Sequence, residues 1–269
     1  MPKRVLLAQL SDLHLCEEWE GVDPVPRVER AVEAVRALPD PVDAVLVTGD
    51  LADDGSERSY RLARELLGRL AAPVHVLPGN HDDRGELRSA FELPGSGAEP
   101  IDYSVTVGEL RVVLFDSIVP GRDPGAYDPE RLRRLDAELS RDAARPTLLA
   151  LHHPPLPTGL AGWDAINLTA ADRAALGAVV ARHPQLQAIA GGHLHRVAAG
   201  VLGGCPVFSA PSACLQARPD FAGDDVDFVD PPGFALHVYC DGDFSSQAQL
   251  LGPEELGRST DPPRPRGPA

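Results

Sequence analysis

The chain has 269 residues, 43% of them hydrophobic, with 40 acidic against 25 basic side chains and a formal net charge of −15. That length and apolar content allow the core of one large α/β domain or two small ones, and exclude a disordered chain. The acidic balance argues against a nucleic-acid polymer as partner, whose binding needs cations to neutralise phosphates, but a small phosphate stays within reach if local metal ions set the field.

Lys3-Arg4 precedes an apolar run from Val5 to Leu10 only. A secretory leader needs an apolar core of roughly 7–15 residues and a membrane-spanning helix about 20, so the reading is a soluble, cytoplasmic protein that makes no membrane contact. Cys16, Cys205, Cys214 and Cys240 are scattered, with no Cys-x-x-Cys pair, as free thiols in a reducing cytosol would be.

A strand from Arg4 to Leu10 feeds the turn Asp12-Leu13-His14. Val28, Ala31, Val32 and Val35 recur at helical spacing and predict a helix from about Val25 to Leu38, stopped by Pro39-Asp40-Pro41. Ala44 to Thr48 is a short β-branched run closed by Gly49-Asp50, which reads as a buried parallel strand delivering Asp50 to the sheet's carboxyl edge. A helix from about Ser56 to Leu70 stripes Tyr60, Ala63, Leu66, Leu67 and Leu70 down one face. Val74 to Leu77 then runs into Pro78-Gly79-Asn80-His81-Asp82. Strand, helix, strand, helix, strand is most economically a parallel sheet.

Asp102 to Val107 and Leu110 to Phe115 flank Gly108-Glu109 as a hairpin. Asp128-Pro129 opens a helix to about Leu139. Thr147 to Leu151 ends in His152-His153-Pro154, and Leu156 to Leu168 reads as a loop holding Trp163. Thr169 caps a helix that ends near His183-Pro184. Leu186 to Ala190 runs into Gly191-Gly192-His193-Leu194-His195, and strand-like pieces follow at Val197 to Leu202 and Val207 to Ser209. Ala210 to Gly233 has no period and reads as a long structureless segment of the kind that forms a lid over a site. Phe234 to Cys240 and Ser245 to Leu251 close as a hairpin. The folded domain is read as residues 1–252 and the Pro-rich stretch 253–269 as a disordered tail.

Six of the nine histidines (His14, His81, His152, His153, His193 and His195) fall in turns directly after strands. Ligands of open α/β sheets sit beyond the carboxyl ends of strands, so these side chains can converge with Asp12, Asp50 and Asn80. Two metals about 3.5–4 Å apart can clamp the attacking and leaving oxygens of an in-line displacement at phosphorus. Such a pair needs a bridging anion, which Asp50 can supply. Asp12 and a histidine would complete one metal, and Asn80 with two imidazoles suits the other. Nitrogen and oxygen donors without thiolate fit Mn, Fe, Co, Ni or Zn better than Mg or Ca.

The ordered set Asp12-x-His14, Gly49-Asp50, Gly79-Asn80-His81-Asp82, His152-His153-Pro154 and Gly192-His193-x-His195 resembles the calcineurin-like metallophosphoesterase superfamily. The resemblance runs from Ser11 to the hairpin at Asp241-Gly242. It implies a four-layer α/β/β/α sandwich with a lid-like segment near the C-terminal part. It places Asp12, His14, Asp50 and His195 on a first metal and Asp50, Asn80, His152 and His193 on a second. His81 falls at the position of a non-ligand histidine near the scissile phosphate, as leaving-group acid or phosphate contact, and His153 at a packing position. His75, His183 and His237 match no motif position.

Pro211-Ser212-Ala213-Cys214-Leu215-Gln216 and Phe228-Val229-Asp230-Pro231-Pro232-Gly233-Phe234 resemble, more loosely, the bacterial class III cyclic nucleotide phosphodiesterases and related glycerophosphodiesterases. The resemblance implies two transition-metal ions (Fe, Mn, Zn or Co) and a small phosphodiester substrate. The expected reaction is hydrolysis of a 3′,5′-cyclic nucleotide such as cAMP by in-line attack of a hydroxide held between the metals, with Phe221 and Phe228 as candidate walls for the base. The alternatives are a glycerophosphodiesterase, a phosphoesterase of broad specificity and, as a different class, a non-catalytic scaffold. A homodimer is compatible with the sequence.

Overall fold

The computed structural model describes residues 4–221 and 226–252. The elements in order are β1 (Arg4–Leu10), α1 (Val25–Arg36), β2 (Ala44–Thr48), α2 (Glu57–Leu67), β3 (Val74–Leu77), α3 (Arg84–Phe91), β4 (Tyr103–Val107), β5 (Leu110–Leu114), α4 (Pro129–Ser140), β6 (Thr147–Ala150), α5 (Ala161–Ile166), α6 (Ala170–Val180), β7 (Leu186–Gly191), β8 (Ala198–Leu202), β9 (Cys205–Ser209), β10 (Gln216–Pro219), β11 (Val226–Val229), β12 (Gly233–Cys240) and β13 (Asp243–Leu250).

Among the described residues the strands form a five-stranded sheet, β13-β12-β1-β2-β3, a six-stranded sheet, β4-β5-β6-β7-β9-β8, and the pair β10-β11. The central strands β1-β2-β3 and β5-β6-β7-β9 run parallel. Period-2 alternation explains the layering. Val5, Leu7, Ala44 and Leu46 of the first sheet meet Leu110, Val112, Leu148, Ala150 and Ala188 of the second in one apolar layer. The alternate residues Ala8, Leu10, Val45 and Val47 turn outward onto Val28, Ala31, Val32, Tyr60, Ala63 and Leu66 of α1 and α2. On the far side, Val113, Leu149 and Ile189 pack against Leu135, Leu139, Leu176 and Val180 of α4 and α6. The result is the four-layer α/β/β/α sandwich.

Helix starts follow local chemistry. The Ser56, Asp128 and Thr169 side chains accept the backbone N–H three residues on, as N-caps do. Three stretches depart from the expectation. Helix α3 was not foreseen because only Leu87 among its apolar residues is buried, beside the buried Arg84 and Arg88, so no apolar stripe marks it. The stretch Leu156 to Leu168 is not all loop but carries the six-residue α5, with Trp163 buried. Ala210 to Gly233 is not structureless either. Its four-residue strands β10 and β11 pair antiparallel, Gln216 opposite Val229, and they are short enough to leave no periodic signal. Residues 222–225 and the 253–269 tail lie outside the described residues. No helix of the described residues is long and apolar enough to cross a membrane.

Between the sheets, Gln9 donates to Thr48 Oγ1 (2.7 Å) and across to the Gly191 carbonyl (2.9 Å), while its own carbonyl faces His237 Nε2 (2.9 Å). That network gives His237 a structural place, and burial holds its imidazole down at about 4, neutral at pH 7. A second buried polar cluster fixes α3 and α4 to the second sheet. Asp116 takes a bidentate pair from Arg84 (2.7 and 3.0 Å) and a third contact from Arg131 (3.2 Å), with the Ile101 and Ile118 N–H groups on the same carboxylate. Asp116→Ala leaves two buried guanidiniums without a counter-charge and is expected to lower stability by about 3–5 kcal/mol. Arg134→Ala, which removes a half-exposed partner of Asp102, is expected to cost under about 1 kcal/mol. Urea unfolding of both variants checks the contrast, and equal losses would contradict it.

Candidate metal centre

Every turn that follows β1, β2, β3, β6 or β7 contributes to one cluster. Five of its residues, Asp12, His14, Asp50, His193 and His195, sit at φ 55, 45, 51, 63 and 47. Left-handed backbone at a residue with a Cβ costs on the order of 1–3 kcal/mol and is kept where surrounding structure enforces it. Here it lets each chain reverse at once beyond its strand, so that the side chain turns back over the sheet edge. The turns are also very close together. A Cβ on Gly49 would lie 2.3 Å from His152 Nδ1, and one on Gly79 would lie 2.1 Å from Asp50 Oδ1. Only glycine fits at either position.

The donor atoms form two sets that share one oxygen. In the first, His14 Nε2 lies 3.0 Å from His195 Nε2 and 3.6 Å from Asp50 Oδ2, and His195 Nε2 lies 3.7 Å from Asp12 Oδ1. In the second, Asn80 Oδ1 is 3.0 Å from His152 Nε2 and 3.1 Å from His193 Nδ1, and His152 Nε2 is 3.3 Å from the same Asp50 Oδ2. Bonds of about 2.1 Å to one ion would separate neighbouring donors by about 3.0 Å at right angles and 3.4 Å in a tetrahedron. The spacings match that scale.

Partners on the outer side of three of the rings decide which nitrogen turns inward. His152 Nδ1 faces the Thr48 carbonyl (2.8 Å) and His195 Nδ1 the Leu215 carbonyl (3.0 Å). A carbonyl oxygen only accepts, so both Nδ1 atoms carry a proton and each Nε2 faces inward. Burial opposes a second proton on His152, but Asp50 lifts it to about 9, so a bound ion would have to displace that Nε2 proton. His14 Nδ1 donates to Asp53 Oδ1 at 2.9 Å with the same consequence. Burial, with the neighbouring imidazoles, keeps His193 and His195 well below the ordinary histidine value and hence neutral. Burial pushes Asp50 up, but the His152 and His14 imidazoles outweigh it and hold its carboxyl well below the usual range. Burial lifts Asp12 to about 6.

Asp12 Oδ2 is buried without any hydrogen-bond partner. An orphaned carboxylate oxygen beside inward lone pairs and the shared Asp50 oxygen calls for positive charge, and the donor set fits two divalent ions. Each of Asp12, His14, Asp50 and His195 has a donor atom within 4.8 Å of those of the other three. The seven residues expected as ligands are therefore brought together.

His152, His153 and His193 also lie together, but His153 has no nitrogen to spare. Its Nε2 donates to the Asp123 carbonyl (2.8 Å) and its Nδ1 accepts from Ser117 Oγ (2.8 Å). Both nitrogens are thus tied to the surrounding backbone and to Ser117. His81 stands at the rim with its side chain 37% exposed and Nδ1 3.0 Å from Asp53 Oδ1, while its backbone N–H donates to Asp50 Oδ1 (3.0 Å). Burial opposes its proton, yet Asp53 and Asp50 together lift it to about 9.

Two residues of the site, Asp53 and Trp19, were not anticipated, and a third, Asp82, stood in the Gly79-Asn80-His81-Asp82 motif without a role. Asp53 joins His14 to His81, and its only sequence signal was its place three residues after Asp50. Asp82 accepts from the N–H groups of Leu51, Ala52 and Gly79 and from Tyr60 Oη, stitching the Asp50 turn to the Asn80 turn. Trp19 lies flat on His14, with ring centroids 4.1 Å apart. Of the two candidate wall residues, Phe228 stands 5.3 Å from His195, whereas Phe221 is 70% exposed. A cleft of about 480 Å³ opens beside Asn80 and His81, lined also by Asp54, Asp83, Glu86 and Ile118. A larger groove along α1, about 900 Å³, holds none of the cluster residues.

The family model described as calcineurin-like phosphoesterase matches residues 5–197. The chain is 35% identical over 242 residues to the 3′,5′-cyclic adenosine monophosphate phosphodiesterase CpdA of Pseudomonas aeruginosa, covering 88% of this chain and 87% of that protein. It is 30% identical to the probable glycerophosphodiester phosphodiesterase GpdQ of Arcobacter nitrofigilis, covering 87% of this chain and 89% of that one. Among solved structures, a dimetal phosphatase from Danio rerio superposes with a TM-score of 0.65 at 18% identity, over 92% of this chain and 99% of the other, which speaks for the fold alone.

Proposed function

The chain belongs to the calcineurin-like phosphoesterase family, and from that premise we propose that it hydrolyses a small phosphodiester, a 3′,5′-cyclic nucleotide such as cAMP, at a two-metal centre. The observation that carries this reading is the single Asp50 oxygen held between two complete donor sets. Asp12, His14, Asp50 and His195 would hold one ion, and Asp50, Asn80, His152 and His193 the other, with Fe, Mn, Zn or Co suited to such donors. Two adjacent cations would supply phosphate charge neutralisation and an easily deprotonated water, which removes any need for a Ser or Cys nucleophile.

The chain's own residues do the rest. Asp53 accepts from both His14 and His81, so it orients a donor of the first set and the rim histidine together. His81, kept protonated, is placed to donate to the oxygen that leaves phosphorus. Asp82 fixes the Asp50 and Asn80 turns against each other and so keeps the donor spacing when substrate arrives.

Two relatives with different named substrates support two readings, and identity of 30% to the glycerophosphodiester enzyme keeps that substrate class as the alternative. A panel of 3′,5′-cyclic nucleotides, 2′,3′-cyclic nucleotides and glycerophosphodiesters, assayed with added Mn²⁺, separates them. The expected result is fastest turnover of a 3′,5′-cyclic nucleotide, abolished by chelator and restored by Mn²⁺. A glycerophosphodiester turned over at tenfold higher kcat/KM would replace the proposal with the alternative. No turnover of anything by metal-loaded protein would favour a scaffold.

A further inference from the structure

The two sides of the metal centre are chemically unlike, and their contrast bears on how the substrate lies. On the His81 side the cleft carries the carboxylates of Asp54, Asp83 and Glu86 on walls it shares with Ala98, Ile118 and Pro120, and among the described residues no aromatic ring other than His81 lines it. On the other side stand aromatic rings. Trp19 belongs to a tight turn closed by reciprocal backbone hydrogen bonds with Val22 (2.9 and 3.0 Å), with Glu20 and Gly21 at φ 49 and 75 between them. Its indole lies flat on His14, 8° from parallel, and Phe228 of β11 meets it edge-on at 5.0 Å. Both rings stand 5.3 Å from His195. Trp163 closes the corner from behind, 5.6 Å from His193, buried in one apolar cluster with Leu160, Leu194 and Phe228.

Trp163 is buried, but Trp19 and Phe228 are only half-buried. They keep ring surface to offer while touching the imidazoles that would hold the first ion. A phosphodiester seated on the donors can send its flat group to either side. Against the indole and phenyl rings a base gives up little hydration and gains stacking. Against the carboxylates it would displace water from charged groups and leave them poorly solvated. Resting on the proposed cyclic-nucleotide reading, we propose that Trp19, with Phe228 at its edge, is the base-recognition surface. The nucleobase lies on the His14–His195 side, and the departing ribose oxygen faces His81.

The test compares equilibrium binding of AMP and ribose 5-phosphate to Mn²⁺-loaded protein, since the second carries a hydroxyl where the first carries the base. Wild type should bind AMP more tightly. Base stacking on an aromatic side chain is worth about 1–3 kcal/mol, so Trp19→Ala should shrink that advantage about 5- to 150-fold, leaving ribose 5-phosphate and metal content near wild type. Trp19→Phe should keep most of the advantage and Phe228→Ala lose part of it. Phe221→Ala should change nothing. If Trp19→Ala weakens both ligands equally or sheds metal, Trp19 merely props His14 and the inference is overturned. If wild type favours AMP and neither Trp19→Ala nor Phe228→Ala reduces the preference, the base surface is elsewhere, although the cyclic-nucleotide reading stands. If wild type binds AMP no better than ribose 5-phosphate, that reading itself fails.

Discussion

Asp50→Asn is expected to lower kcat/KM by about 10³-fold or more and to reduce metal content from about two ions per chain to one or fewer. A thousandfold loss corresponds to roughly 4 kcal/mol, within what charge stabilisation by bound cations supplies. The change keeps the side chain's shape, so packing is not the cause. Asp50 Oδ1 accepts the His81 backbone N–H, and Oδ2 lies between the His14 and His152 Nε2 atoms. Asparagine has one oxygen for these two tasks. Its NH₂ must either oppose the His81 N–H or point at the inward lone pairs where an ion is to sit. Both orientations remove the shared negative charge. Elemental analysis beside circular dichroism separates loss of metal from loss of fold. An Asp50→Asn protein that retains both ions and full turnover would sink the bridging role.

His81→Ala should lower kcat by about 10²- to 10⁴-fold, the usual worth of a positioned general acid, with metal content unchanged. The size of the loss should depend on the ester. A p-nitrophenolate leaves with little proton help, so p-nitrophenyl esters should suffer least and alkyl esters most. Geometry supports the assignment, because Asp53 holds His81 by Nδ1 and leaves Nε2 free at the rim of the cleft. Asp53→Asn should show the same leaving-group pattern with a loss of metal added, because the same carboxylate also fixes the His14 proton. Equal losses across leaving groups for His81→Ala would reduce His81 to a phosphate-binding or structural residue.

Much of the architecture was legible because it is written locally. β2 runs Ala44 to Val47 as unbroken apolar sequence since both its faces are covered, one by the second sheet and one by α1 and α2. Ser56, Asp128 and Thr169 mark helix starts through bonds spanning only three residues. The donor types were legible for a related reason. Each of Asp12, Asp50, Asn80, His152 and His193 directly follows a strand or lies within a few residues of its end, so the chain itself carries it to the sheet edge.

What tertiary structure decided were the relations between turns remote in sequence. The Asp12 carboxylate accepts the His193 N–H 181 residues away, a contact that exists only because β1 and β7 face each other from different sheets. Which nitrogen of His152, His195 and His14 turns inward depends on Thr48, Leu215 and Asp53 behind them, and no motif encodes that. His153 looks like a ligand beside His152 until Ser117 and Asp123 take both its nitrogens. Asp53, Asp54 and Asp83 are alike as letters, and only Asp53 lies where His14 and His81 can share its oxygen. Trp19 gave no periodic signal in its short turn, yet packing sets it on His14. Sequence places the candidate donors at strand ends, because that is a matter of local chain geometry and donor chemistry. Hydrogen-bond partners and stacking neighbours are set by the packing of the two sheets, because such contacts act over only a few ångströms between segments that the fold alone brings together.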